Sequence, residues 1–429
     1  MFGLPWWVLF FFVAGAVATV TAVLSLFFAL GRRPQRMWTE HIGDVESEDF
    51  LVPLAAILNV PLRRGGHACL LNNGDAFFTA MLEDFRAAER SINVMMYIWE
   101  PGQVSDRIFE ALVEQARVGV QVRLLLDGFG GLLAPRVDVE RLIECGGRVA
   151  IFRPPQFGKL LRYHRRNHRR AIVIDGRVAY TGGAAVGDKW LGNARTSAEW
   201  RDSMTRVTGC LAQNLQAAFA EPWAYCTGEV LTGDAFFPPD LEDERTGVRS
   251  ISVNSSPGLE EHPLRLFFFL TFLAARRRLW ITTPYFVPDK HTRGVVKRRA
   301  RAGVDVRIIM PDRHTDAKPI RAASHSYYAE LLDAGVRIFE YQGAMMHSKH
   351  VVVDGKWCVV GSPNMDIRSK ELNEENAIGV LDREFGRQLE RTFECDLQRC
   401  REIVRAEWRR RGFGKRVVER LCVLFAEQY

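Results

Sequence analysis

One pattern occurs twice in this chain, and the repetition limits what it can fold into more than any other feature. The stretch NHRRAIVIDGRVAYTGGAA carries His168, Arg170 and Asp175, and MMHSKHVVVDGKWCVVGSPN carries His347, Lys349 and Asp354. In both, a cation follows the histidine by two positions, an aspartate follows the cation by five, and a glycine, Gly182 or Gly361, follows the aspartate by seven. The flanks repeat too. Phe77, Met81, Leu82 and Phe85 have helical spacing and lead into the apolar run SINVMMYIW, as LFFFLTFLAA leads into RLWITTPYF. GVQVR from Gly119 answers GVDVR from Gly303, and ERLIECGGRVAIF answers YAELLDAGVRIFEY. Helix and strand alternate throughout, which predicts an α/β fold of two related halves, each an α/β/α sandwich on a largely parallel or mixed sheet.

The expected organisation is an apolar anchor with a basic flank at 1–36, a linker at 37–58, a first half at 59–240, a second half at 241–405 and a basic amphipathic C-terminal helix at 406–429. No charged side chain occurs before Arg32, and the run from Pro5 to Leu30 exceeds the roughly 20 apolar residues that cross a bilayer. Trp6 and Trp7 stand at one end, and Arg32, Arg33 and Arg36 at the other. This predicts a single-pass anchor in the cell membrane with the bulk of the chain on the cytoplasmic side. A cleaved signal peptide would need a basic start and a shorter apolar core. The run Leu266–Ala275 is too short to span and is bracketed by Arg265 and Arg276, so it is expected as a buried helix. In the last stretch, Val417, Leu421, Leu424 and Phe425 share a helical face beside Lys415, Arg416 and Arg420, which fits either an anionic membrane surface or a helix docked on the protein.

With 47% hydrophobic and 25% charged residues over 429 positions the chain is globular in character, and its net charge of +7 suits an anionic partner, nucleic acid or membrane. The basic residues form no single stripe with interleaved aromatics, so no nucleic acid is expected as partner. The eight cysteines are scattered, with no CxxC pair and no histidines at zinc spacing, so they read as reduced thiols, and neither a metal nor another cofactor is expected.

The spacing itself suits phosphate chemistry. Residues two apart on an extended segment point the same way, so His347 and Lys349 aim at one phosphate while Ser348 points away. Gly361 permits close backbone approach, and Ser362 and Asn364 add a hydroxyl and an amide. Asp354 ends the apolar run HVVVD, where a buried carboxylate needs partners, and this suits a structural role.

The duplicated HxKxxxxD pattern resembles the phospholipase D superfamily, and GSPNMDIRSKELNEEN from Gly361 narrows the resemblance to the bacterial cardiolipin synthase branch. The resemblance extends from about Asn59 to the C-terminus. It implies the phospholipase D fold, with both halves contributing to one shared active site. His168, Arg170, Asp175, His347, Lys349 and Asp354 then form the catalytic set, and Gly182, Gly361, Ser362 and Asn364 hold phosphate. Asp202, in EWRDSMTRVTG, and Glu375, in LNEEN, match the carboxylates that orient the imidazoles. Family order makes His168 the nucleophile that forms a phosphohistidine and His347 the acid. The implied reaction joins two phosphatidylglycerols into cardiolipin and releases glycerol, so the partners are anionic phospholipids and the membrane; oligomeric state is not legible.

The first motif departs from the family. Arg170 stands for lysine, Gly183 for serine and Ala185 for asparagine. Arginine keeps the charge but is bulkier. Loss of one amide donor is worth on the order of 10²- to 10³-fold if it acts like an oxyanion-hole group. A phospholipase D hydrolase, another transphosphatidylase and a catalytically weak or silent membrane scaffold therefore stay open as alternatives, with a membrane-tethered nuclease behind them.

Overall fold

The structure is a computed structural model that describes residues 37–155, 165–239, 247–256 and 263–425, with a few isolated positions before residue 37. The chain divides into residues 1–41 and residues 42–429, and the second unit carries all that follows. The expected membrane anchor lies outside the described residues. Among the described residues no helix is long and apolar enough to cross a membrane.

The repeat in sequence is a repeat in topology. One sheet has seven strands, in the spatial order Ala68–Asn72, Ser203–Thr208, Val178–Gly182, Ala171–Ile174, Ser91–Met96, Gln121–Asp127 and Arg148–Phe152. The other, of nine strands, runs Arg63–Arg64, Arg249–Ser255, Glu375–Leu381, Trp357–Gly361, His350–Val353, Arg278–Thr282, Asp305–Pro311, Arg337–Tyr341 and Cys400–Glu402. Without its two outer strands, the second order reproduces the first element by element. Both sheets are mixed. Ser91–Met96, Gln121–Asp127 and Arg148–Phe152 pair in parallel, as do their counterparts in the second sheet, and the strands that follow each histidine motif pair antiparallel.

Helix Asn73–Arg86 forms where the spacing predicts it and buries Phe77, Met81, Leu82 and Phe85. Its counterpart Pro263–Ala274 buries Phe267, Phe268, Phe269 and Phe272, so the LFFFLTFLAA run is core. The linker expected at 37–58 is corrected in part. It contains the helix Glu48–Ile57, which buries Phe50, Leu51 and Leu54, and the edge of the Phe50 ring meets Trp357 at 5.3 Å. Polar residues precede that helix, but its own apolar side chains remove it from solvent.

The halves share a core. Met95, Val173, Leu215 and Trp223 from the first pack in one cluster with Val352, Cys358, Ile378 and Leu389 from the second. Buried arginines bolt the same seam. Arg201 donates to both oxygens of Asp396 at 2.8 and 3.0 Å, and Arg169 donates to Glu221 at 2.7 Å and to Ser256 Oγ at 2.8 Å.

The two motif aspartates are clasps. Asp354 accepts the backbone N–H groups of Arg276, Arg277 and Arg278 at 3.0, 2.7 and 2.8 Å, and Asp175 accepts those of Glu89, Arg90 and Ser91 at 2.9, 2.8 and 2.8 Å. Each ties the turn after its motif strand, Ala171–Ile174 or His350–Val353, to the start of the neighbouring strand. Each sits at positive φ, 55° and 53°, where aspartate is better tolerated than most residues. Their assignment to the catalytic set is therefore corrected for both. A carboxylate that closes three N–H bonds at the far end of the strand has no reach to the imidazole at its start. Asp354→Ala should lower stability by about 2–3 kcal/mol through lost charge-assisted bonds and left-handed strain. Chemical denaturation would measure that loss, with activity per folded molecule little changed.

Candidate active site

Each histidine lies on an extended segment just before its motif strand, and that segment pairs with the opposite half. The His168 N–H donates to Glu374 O at 2.9 Å, and the His347 N–H donates to Arg201 O at 2.7 Å. These bridges set the carboxylates. His168 Nδ1 lies 2.9 Å from both oxygens of Glu375, and His347 Nδ1 lies 2.7 Å from Asp202 Oδ2. The pairs are crossed: the second half orients the histidine of the first, and the first half orients the histidine of the second. With both Nδ1 atoms engaged, Nε2 is left as the reacting nitrogen of each ring.

Lys349 Nζ stands 3.2 and 3.3 Å from the two ring nitrogens of His347, and Arg170 Nη1 stands 3.3 and 3.1 Å from those of His168. Each cation also donates to the carbonyl of its own histidine, at 2.9 Å in both cases. The shared direction of His347 and Lys349 follows the spacing, and Ser348 instead approaches Ser203 Oγ at 3.3 Å. Arg170 Nε spends a further bond on Ala184 O at 3.1 Å, a use that lysine lacks.

All four groups are buried, and burial sets their protonation. Burial, then the charges of Arg170, Lys349 and His347, holds His168 well below the usual imidazole range. Burial and Lys349 hold His347 at about 4, against the pull of Asp202. Burial brings the Lys349 ammonium down to about 7. The carboxylates diverge. Burial drives Glu375 up to about 8 although Ser362 and Arg170 oppose it, whereas at Asp202 burial is outweighed by His347, Lys349 and the Trp190 indole, and the carboxyl stays below its ordinary value.

The remaining predicted residues separate into near and far. Ser362 Oγ donates to Glu375, so its hydroxyl is tied to the carboxylate rather than turned to phosphate. Asn364 is buried, and its Oδ1 has no hydrogen-bond partner among the described residues. Gly182 and Gly361, expected to let backbone approach phosphate, have φ of 153° and 152° and press on the adjacent strand instead. A Cβ would lie 2.5 Å from Ser203 O at Gly182 and 2.2 Å from Asn376 O at Gly361. The close approach that the structure shows at these two glycines is between strands.

The departures in the first motif have local compensations. Where the second half uses Ser362 on Glu375, the first half gives Asp202 the Trp190 indole N–H at 2.9 Å and the Ser203 N–H at 2.8 Å. Gly183 leaves no space for serine, because a Cβ would lie 2.2 Å from Asp202 Oδ1 and 2.6 Å from His347 O. Ala185 is buried in the first half's core. Gly183→Ser, which restores the family residue, should therefore lower turnover by about 10- to 100-fold by displacing Asp202. Steady-state kinetics check this, and a gain in activity would contradict the crowding.

Sequence reasoning missed the aromatic walls. Tyr97 meets the His168 ring edge-on at 4.9 Å, and Trp190 and Trp200 meet His347 at 5.6 and 5.1 Å. It also missed Asn376, which accepts the Arg170 N–H at 2.8 Å and donates to Thr181 at 2.9 Å across the halves. The aromatics carry no periodic signal, and Asn376 was visible only as part of the LNEEN stretch.

Two topologically equivalent sheets that cross-pair two histidines with two carboxylates define the phospholipase D-like class of fold and site. A family profile described as "Cardiolipin synthase, PLD-like domain" matches residues 81–219 and 271–397. The chain is 35% identical over 351 residues to cardiolipin synthase 2 of Bacillus anthracis, covering 81% of this chain and 68% of that one. It is 34% identical over 369 residues to the cardiolipin synthase of Geobacillus kaustophilus, covering 85% and 73%. The crystal structure of phosphatidylserine synthase from Haemophilus influenzae superposes with a TM-score of 0.67 at 16% identity, over 88% of this chain and 97% of that one, a likeness of fold. This chain belongs to the PLD-like cardiolipin synthase family and is an enzyme of the phosphatidyltransferase type.

Proposed function

We propose that the enzyme is membrane-anchored and makes cardiolipin from two phosphatidylglycerols through a phosphohistidine. The crossed pairs of imidazole and carboxylate, each beside a buried cation, carry this reading. His168 Nε2 attacks phosphorus and the P–O bond to the glycerol headgroup breaks; His347, which the bound anionic phosphate together with Asp202 draws up from its value in the free enzyme so that it enters the step protonated, gives the departing oxygen its proton. The second phosphatidylglycerol then presents a headgroup hydroxyl; His347 takes its proton, the oxygen bonds to phosphorus and the P–N bond breaks. The carboxylates favour this division of labour. Glu375, raised by burial, gives an imidazolium at 168 little support, so His168 stays a neutral nucleophile, while the ionised Asp202 stabilises the charged form of His347. Lys349 and Arg170 offset the charge on the non-bridging oxygens.

Purified enzyme given phosphatidylglycerol labelled in its headgroup should release labelled glycerol and form cardiolipin that keeps label. Phosphatidic acid as the sole lipid product would overturn transfer in favour of hydrolysis. The pH profile adds a check. Lys349 is charged below about 7 in the free enzyme and neutral above it, so kcat/KM should fall as pH rises through that value. Lys349→Arg should move that limb to higher pH, and an unmoved limb would assign it to another group.

A further inference from the structure

The C-terminal helix Phe413–Phe425 touches the protein by one narrow face. Glu419 is buried, pairs with Arg411 and lies 3.8 Å from His325 Nδ1. Cys422 and Val423 pack on a cluster of Val287, Ile320 and Ala323 that also includes Tyr285 and Ala317. At roughly 100° per residue, Phe413, Val417 and Leu421 lie close together on the side turned away from Glu419, Cys422 and Val423. They are 80%, 39% and 52% exposed, and Val418 beside them is 56% exposed. The exposed Arg420 and Arg416 border this strip on one side. Lys318 and Lys415 line a groove between this helix and its support, Lys318–Leu332.

The seat of the helix adjoins the reaction centre. Val287 of that cluster belongs to the strand Phe286–Val287, which pairs in parallel with Met365–Asp366, the two residues directly after Asn364 of the second motif, and Tyr285 beside it donates its hydroxyl to Asp316 at 2.7 Å. An apolar strip edged with cations, facing outward next to the mouth of a site for lipid phosphate, matches an anionic bilayer surface in shape and charge.

We propose that the outward face of Phe413–Phe425 docks on anionic lipid and holds the mouth of the active site against the bilayer. This rests on the lipid-transfer reading for its purpose, but its test does not. With benzoylphenylalanine at position 417 of the full chain, irradiation should give a phospholipid adduct in vesicles containing phosphatidylglycerol and several-fold less in purely zwitterionic ones. Cross-links to a second copy or to the chain's own N-terminal segment, without lipid adduct, would overturn the proposal. The pair Phe413→Ser and Leu421→Ser should lower turnover of phosphatidylglycerol in vesicles by about 10-fold and leave dispersed short-chain phosphatidylglycerol unaffected. Equal losses on both substrates would mark a structural helix and sink the idea. A chain that attaches to lipid at position 417 yet forms no lipid product would refute the transfer reading and support docking.

Discussion

His347→Ala is expected to lower turnover by about 10⁴-fold or more, and His168→Ala by a similar amount, because in the proposed mechanism nucleophile and proton carrier act as a unit. Each ring packs against aromatic side chains and has its Nδ1 fixed by a carboxylate, so alanine in its place leaves no imidazole held in that position. The variants should remain folded, since alanine removes a buried imidazole but leaves the backbone bonds to Glu374 and Arg201 in place. Single-turnover assays separate the roles. If His168 is the nucleophile, His168→Ala gives no covalent phosphatidyl-enzyme. His347→Ala should still form some with a substrate whose leaving group needs no proton. Near-normal turnover in either variant would falsify the shared site.

Asp202→Asn and Glu375→Gln should each reduce turnover by about 10²- to 10⁴-fold, with the larger effect at Asp202. The asparagine amide can keep the geometry of the Asp202 contact but not the negative charge that stabilises His347 as an imidazolium. Glu375, which burial already holds partly neutral, loses less when made permanently neutral. The informative feature is where the damage falls. Asp202 is in the first half and His347 in the second, so the imidazole resonances of His347, not of His168, should shift in Asp202→Asn. A spectrum in which His168 responded instead would remove the crossing from the mechanism.

Much of this was legible in the sequence because it rests on short spacings. The two-residue interval from His347 to Lys349 puts both on one side of an extended segment, and the structure places Nζ against the ring. The buried run Leu266–Ala275 was distinguishable from a membrane span by length and flanking charge. Other readings failed where the partner is distant. Asp175 and Asp354 share a motif with the histidines but serve the neighbouring strand. Ser362, chosen as a phosphate ligand, is held by Glu375. Gly183 and Ala185 read as losses from the first motif, yet Gly183 is the residue that leaves space for Asp202, and Trp190 supplies the bond that Ser362 supplies in the other half.

The sequence by itself determined the duplicated α/β plan, the two histidine motifs and the two cations beside them, because strand and helix periods are local and each motif lies within one short stretch. Only the tertiary structure decided which carboxylate serves which histidine. Glu375 is 207 residues from His168 and Asp202 is 145 from His347, and no periodicity spans such intervals. The pairing follows from how two equivalent sheets pack across a common core, which brings the edge of each half against the reacting ring of the other.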